Sequence, residues 1–304
     1  MNIMKLYDCV ILTDHRYLND SKSDPYKHNV YIEDRLVYHA LEELGLKTLR
    51  LAWDDMFFDW STTKTILFRT TWDYFDRFDE FSKWLELVSK KTSLLNSEAI
   101  IRWNIDKHYL LDLQNNGIHI AESHFIEQGS KVSLKQLHDI LDWNETVLKP
   151  CISGAARHTY KLNLDNLEAH EAVFQELIAQ EAMMLQPFQH NIVSKGEVSM
   201  MVFNGQYSHA ILKKAKAGDF RVQDDFGGSV HNYEPSEEEI AFAEAAIQAC
   251  IEAPIYARVD IFEANNAKIA LSELELIEPE LWFRNHPKAA KLLAQGIKER
   301  LQIL

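Results

Sequence analysis

YARVDIFEANNAKIALSELELIEPEL, residues 256–281, holds two alternating segments on either side of Asn265-Asn266. Side chains on a strand point to opposite faces in turn. Arg258 and Asp260 therefore share one face of the first segment, and Glu273 and Glu275 share one face of the second. Leu274 and Leu276 fall on the other side. Folding about the Asn265-Asn266 turn predicts an antiparallel hairpin that brings Asp260 close to Glu273. Three carboxylates packed this way repel one another unless positive charge sits between them. Oxygen-rich clusters suit Mg2+, usually shared with substrate phosphates. The alternative is a solvated outer sheet face, but the following LIEPELWF is strongly apolar for an exposed edge.

The rest of the chain sets the frame for this hairpin. Its 304 residues, 46% hydrophobic, suffice for more than one core. Ten glycines and seven prolines leave little room for long disordered linkers. A formal charge of −14 argues against nucleic acid or an anionic membrane surface, which call for clustered Lys and Arg. Phosphate ligands remain compatible, because a few placed cations suffice. Cys9, Cys151 and Cys250 are far apart and odd in number, against a disulfide framework. No signal-peptide pattern, membrane-length apolar run or Walker loop is visible, so a soluble cytoplasmic protein is expected.

Upstream, strand and helix patterns alternate. Asp8–Asp14, Lys47–Trp53 and Thr65–Trp72 read as strands. Helix patterns cover about Val30–Leu44, stopped by Gly45, and about Phe78–Val88. This order predicts a small parallel α/β unit. A second region opens at Asn104, read as a helix cap, with the helix closing at Gly117. Ser133 caps the next helix, Glu145–Cys151 is a strand, and SGAARHTY follows as a small-residue loop. A helix over about Leu164–Ile178 precedes the strand and connector Ala182–Phe188. The third region opens with a hairpin around Asn204-Gly205, the strongest short hairpin signal. Ser236–Glu239 is a capping box whose helix puts Ile240, Ala243, Ile247 and Ile251 on one face. A last helix from Pro287 carries Leu292, Leu293, Ile297 and Leu301.

Further residues have chemical potential, each beside a plainer reading. Lys149 ends an apolar strand before a loop with free N–H groups, as a polyphosphate requires, or is simply solvated. Gly218–Ser229, GDFRVQDDFGGS, is either a flap carrying Arg221 towards an anion or an ordinary surface loop. Arg69 ends a strand, where ligands of open α/β sheets sit, and could pair with a substrate carboxylate, or be solvated. The thirteen histidines show no ligand spacing.

Taken in order, VLKP with SGAARHTY, MLQPF, GEVSMMVFNG, GDFRVQDDFGGS, YARVD and SELELIEP resemble the ATP-grasp superfamily, from about Asn104 to Phe283. The set is most similar to the glutathione-synthetase and ribosomal-S6-modification type of ligase. RTTWDYF, GDFRVQ and ELELIEPEL are similar to the branch that contains the cycloserine-ring-forming ligase. The resemblance implies an α/β (α+β) fold in three parts. These are a Rossmann-like N-terminal domain at 1–103, a central lid at 104–188 and a C-terminal antiparallel-sheet part with the metal site at 189–304. It further implies that Lys107 and Lys149 hold ATP phosphates, with Ser153, Gly154, Ala155 and Arg157 in the lid loop over them and Lys213 also at the ATP site. Gln186, Pro187 and Phe188 would meet the adenine and Glu197 the ribose. Arg221 and Arg258 would act catalytically on the acyl phosphate and phosphates, with Arg69 and Arg221 on the substrate. Asp260, Glu273 and Glu275 would hold Mg2+, or Mn2+ as the alternative ion. Many members have Asn where Glu275 stands, and this lid loop has a single glycine.

The expectation is an ADP-forming carboxylate–amine ligase working through an acyl phosphate on a small amino-acid-like or peptide substrate. Its partners would be small carboxylates and amines, with no nucleic acid, no membrane, and a homodimer compatible with the family. The rivals are a non-catalytic ATP-binding regulatory protein and a kinase-like member.

Overall fold

In the computed structural model, which describes residues 4–154, 156–216, 218 and 227–303, three sheets follow one another along the chain. The first is parallel, in the order β2-β1-β3-β4. It comprises β1 (Tyr7–Thr13), α1 (Pro25–Glu43), β2 (Thr48–Ala52), β3 (Thr63–Thr70), α2 (Phe78–Ser89) and β4 (Ser93–Leu95). Helix α1 begins five residues before the expected Val30, because Asp24 accepts the N–H groups of Tyr26 and Lys27 and Pro25 occupies the first turn. Gly45 ends it with φ of +80°.

Two helices come next, α3 (Glu98–Asn104) and α4 (Tyr109–Asn115). Asn104 does not cap a helix start; it closes α3. Its amide is used elsewhere. Nδ2 donates to the Leu274 carbonyl and Oδ1 accepts from the Leu276 N–H, both at 2.8 Å. Helix α4 also belongs to the C-terminal core: Tyr109, Leu110 and Leu113 pack with Met200, Val259 and Leu274.

The second sheet runs β5-β8-β6-β7 and is antiparallel. Its elements are β5 (His124–Ile126), α5 (Leu134–Leu141), β6 (Glu145–Pro150), β7 (Tyr160–Asn163), α6 (Leu167–Gln180) and β8 (Met183–Pro187). Ser133 and Gln136 form a reciprocal capping box at α5.

The third sheet, in the order β11-β10-β9-β12-β13, follows the short α7 (His190–Lys195). Its elements are β9 (Glu197–Phe203), β10 (Gln206–Lys214), β11 (Ser229–Tyr233), α8 (Glu237–Gln248), β12 (Tyr256–Glu263) and β13 (Ile269–Glu275). Asn204 and Gly205 turn β9 into β10 with φ of 52° and 78°, as the hairpin signal requires. β9 is central and every residue of it is buried, so its run reads as continuously apolar around Ser199. Ile251 lies beyond α8 and is half exposed, so the core face of that helix is Ala243, Ala246 and Ile247.

The last helix, α9 (Lys288–Ile303), returns to α1. Ala289, Ala290, Leu293, Ala294 and Ile297 are buried with Cys9, Ile11, Val37, Met201 and Phe203 in one cluster. The first and third sheets thus share a core. Leu292 points outward, 50% exposed. Among the described residues, no helix is long and apolar enough to cross a membrane.

Candidate active site

The hairpin of β12 and β13 forms in the expected register. Arg258 stands opposite Glu275, and Asp260 opposite Glu273. Asp260 is 2% exposed. Its carboxylate accepts from Ser199 Oγ at 2.6 Å, Lys213 Nζ at 3.1 Å and the Arg258 guanidinium at 2.9–3.1 Å. Burial pushes this carboxyl up, yet Arg258 and Lys213 outweigh it and hold it below the usual range. Arg258 also pairs with Glu275. Lys213 pairs with Glu197 at 2.6 Å, its partner across β9 and β10. Glu273 pairs with Lys107 at 3.1 Å. Burial raises Glu273, but Lys107 and Lys149 bring it down. Glu275 stays raised, because burial and the charges of Glu273 and Asp260 exceed the pull of Arg258.

Asp260, Glu273 and Glu275 share one face, but their oxygens are not drawn into a ready-made cluster. Among the described residues, the ligand atoms that gather within 4.8 Å are those of Asp106, His108 and Cys151. Arg258 and Lys107 hold the expected trio apart by pairing with its members.

These residues open onto one cavity of about 520 Å³, into which the second and third sheets and the segments flanking the first sheet send side chains. Lys107, Lys149, Ser153, Gly154, Gln186, Pro187, Phe188, Glu197, Lys213 and Arg258 line it. Lys107 Nζ donates to the Ser153 carbonyl at 2.9 Å, which ties the lysine to the small-residue loop. Lys149 is different. Burial lowers its pKa, and its side chain makes no hydrogen bond or ion pair to a described residue. A desolvated ammonium with no direct hydrogen bond or ion pair to a described residue fits a phosphate, and neighbouring buried carboxylates fit a divalent cation.

Two expectations are corrected and two fall outside. Arg157 does not line the cavity: it forks onto Glu181 at 2.5 and 2.9 Å and bonds the Ile152 carbonyl, so it shapes the loop from behind. Arg69 is 1% exposed and does not reach the cavity. It donates to the Pro279 carbonyl at 3.0 Å, meets Asp34 at 3.5 Å and lies over the Phe283 ring. Ala155 and Arg221 lie outside the described residues.

The sequence reading missed the wall supplied by the first sheet. Arg16 and Tyr17 follow β1, Trp72 and Tyr74 follow β3, and Tyr26 opens α1; all line the cavity. The strand-end rule gave the right place, but the chain enters the cavity only after Thr70. Glu278 was also missed. It bonds Tyr74, and burial beside Glu275 raises its carboxyl to about 8.

A model of the RimK-like ATP-grasp domain matches residues 113–276, more than half of the chain. The chain belongs to the RimK-like ATP-grasp family. That family binds ATP and Mg2+, and the chain is an ATP-grasp ligase. A model of the D-cycloserine synthetase DcsG N-terminal domain matches residues 9–96. The cycloserine biosynthesis protein DcsG of Streptomyces lavendulae is 29% identical over 285 residues, covering 86% of this chain and 92% of that protein. The crystal structure of D-cycloserine synthetase DcsG superposes with a TM-score of 0.83 at 27% identity, covering 96% and 99% of the two chains. The ATP-bound D-alanine–D-alanine ligase of Bacillus anthracis shares the ATP-grasp fold, with a TM-score of 0.62 at 13% identity over 97% of each chain.

Proposed function

We propose that this ATP-grasp ligase is ADP-forming and joins the carboxylate and amine of a small amino-acid-like substrate through an acyl phosphate. The observation that carries the reading is one cavity holding Glu273 and Glu275 beside the cations Lys107, Lys149 and Arg258. In the first step a carboxylate oxygen attacks the γ-phosphorus and ADP leaves. In the second the amine attacks the acyl carbon, phosphate leaves and the amine proton is lost. The protein supplies position and charge, and no covalent side chain is needed.

Within this reading Lys149 and Lys107 bind phosphate oxygens, and Gln186, Pro187 and Phe188 form the adenine edge. Glu197 meets the ribose. Arg258 offsets charge on the transferred group, while Asp260 orients Arg258 and Lys213 from below. Glu273 and Glu275 would hold Mg2+, which would supply positive charge to offset the phosphates. The three sheets correspond to lobes over 1–103, 104–188 and 189–304, with α4 seated against the third. Similarity to D-cycloserine synthetases along nearly the whole chain supports a small substrate, with ring closure as the form the ligation takes.

The test is incubation with Mg-ATP, hydroxylamine and pooled amino acids, dipeptides and small carboxylic acids, with ADP and hydroxamate both measured. Hydroxamate that depends on one pool supports the acyl phosphate. ADP with no hydroxamate favours transfer to a stable acceptor, and Mg-ATP binding without ADP favours a regulatory ligand.

A further inference from the structure

The first sheet reverses direction beside its entry strand. From β1 the chain steps to β2 on one side, and β3 then pairs with β1 on the other. Ligands of open parallel sheets sit in the crevice outside the strand ends at such a switch point. Here the crevice lies between the ends of β1 and β3, and both lead into the cavity.

Asp14, directly after β1, is fully buried, and its N–H is fixed to the Thr70 carbonyl at 2.9 Å. Its carboxylate takes the Arg16 N–H at 2.8 Å, Nε at 3.1 Å and Nη2 at 2.6 Å. The guanidinium also lies over the Tyr17 ring, 5.4 Å from its centroid. Two constraints therefore fix the plane of a side chain that is 50% exposed. Nη1 has no partner among the described residues, so the end of the fork stays open. Arg16 is the single cation that residues 4–103 bring to the cavity wall. Beside it, Trp72 meets Tyr17 edge-on at 5.4 Å and Tyr26 at 6.4 Å, an apolar surface suited to a short aliphatic body.

Building on the ligase reading, we propose that Arg16 is the substrate-anion residue. Its Nη1 takes one oxygen of the carboxylate of a small amino acid, with Tyr17, Tyr26 and Trp72 as the apolar wall. The second oxygen is left free to attack phosphorus. Asp14 is a positioning residue, because it acts through Arg16.

The test uses the full-length protein saturated with Mg-AMPPNP. The common amino acids, each in both hands, are the probes, and their binding is measured by calorimetry to wild type, Arg16→Ala and Arg16→Lys. The expected result is that an amino acid bound by the wild type binds roughly ten- to a hundredfold more weakly to Arg16→Ala, the range of one charged hydrogen bond. Arg16→Lys recovers part of the loss, and AMPPNP affinity and thermal midpoint stay at wild-type values. Unchanged amino-acid affinity in Arg16→Ala overturns the proposal. So does an equal loss of AMPPNP affinity, or a wild type that binds none of the probes. An amino acid that binds through Arg16 but yields neither ADP nor hydroxamate would instead count against the ligase chemistry.

Discussion

Replacing Arg69 by Met separates a structural arginine from a substrate-gripping one. The side chain is 1% exposed, and Met keeps most of its volume. The change removes the bond to the Pro279 carbonyl at 3.0 Å, the contact with Asp34 at 3.5 Å and the stacking over Phe283 at 5.3 Å. A hydrogen bond to a charged group contributes about 1.5–3 kcal/mol. A desolvated cation over a ring adds about 1–2 kcal/mol. Against this, a buried charge disappears, and Asp34 is not orphaned because Arg50 still holds it at 2.7 Å. The net loss is about 2–3 kcal/mol. For a chain of this size that lowers the thermal midpoint by roughly 5 °C. Thermal unfolding by circular dichroism reads the stability, and coupled ADP release at 25 °C reads KM for ATP and for the accepted carboxylate. Both KM values should stay within about twofold of wild type, on the usual reading that a KM change reports lost binding. An unchanged midpoint with a tenfold rise in substrate KM would refute the reasoning and return Arg69 to the substrate.

Three further outcomes follow from the geometry. Lys149→Ala should raise KM for ATP about ten- to a hundredfold, since a charged contact to phosphate is lost, with little change in the thermal midpoint, because the ammonium removed is desolvated and makes no hydrogen bond or ion pair to a described residue; a wild-type KM would remove Lys149 from the nucleotide site. Glu273→Gln should weaken nucleotide binding at limiting Mg2+ more than at saturating Mg2+, read by nucleotide titration at both ion concentrations; equal losses would count against a metal role. His209 is buried, and burial holds its imidazole at about 4 instead of 6.5, despite the opposing bond to the Leu281 carbonyl. The unfolded chain therefore takes up the proton first. Stability is full above pH 6.5 and falls by up to about 3 kcal/mol as the pH drops towards 4. The urea midpoint of His209→Gln should fall less than that of wild type between pH 7 and pH 4.5, and an equal fall would exclude His209.

The β12–β13 hairpin was legible in the sequence because two short-range signals agreed. Period-two alternation fixed which residues share a face and the Asn265-Asn266 turn fixed which strands pair, while a register shift between Asp260 and Ile261, for which the sequence carries no signal, sets Asp260 opposite Glu273. Lys213 meets Glu197 in the same way, through the Asn204-Gly205 hairpin and a register shift between Tyr207 and His209. Long-range choices left no such trace. Asn104 looks like any helix cap, yet its amide serves two backbone groups of a strand about 170 positions away. Arg69 and Arg16 both stand near the end of a parallel strand. Only the burial of Asp14 and the point at which β3 stops decide which of them faces the cavity. Leu292 and Ile251 carry the hydrophobicity of core residues, but a helix rotated by part of a turn, or ended a turn early, turns them outward.

The core shared by the first and third sheets constrains how new activities can be engineered into this chain. Positions up to Asp76 bring Arg16, Tyr17, Tyr26, Trp72 and Tyr74 to the cavity wall, which invites a cassette exchange with a relative of different specificity. Those positions are not self-contained. Cys9, Ile11 and Val37 are completed by Met201, Phe203 and the last helix, and Glu33 bonds the backbone of Phe283 and Arg284. A transplanted first domain would arrive without its matching floor. Chimeras should therefore exchange α9 and the 281–284 segment together with the N-terminal sheet, and the viability of such paired swaps over single ones is a direct measure of how far the two ends of the chain have evolved as one unit.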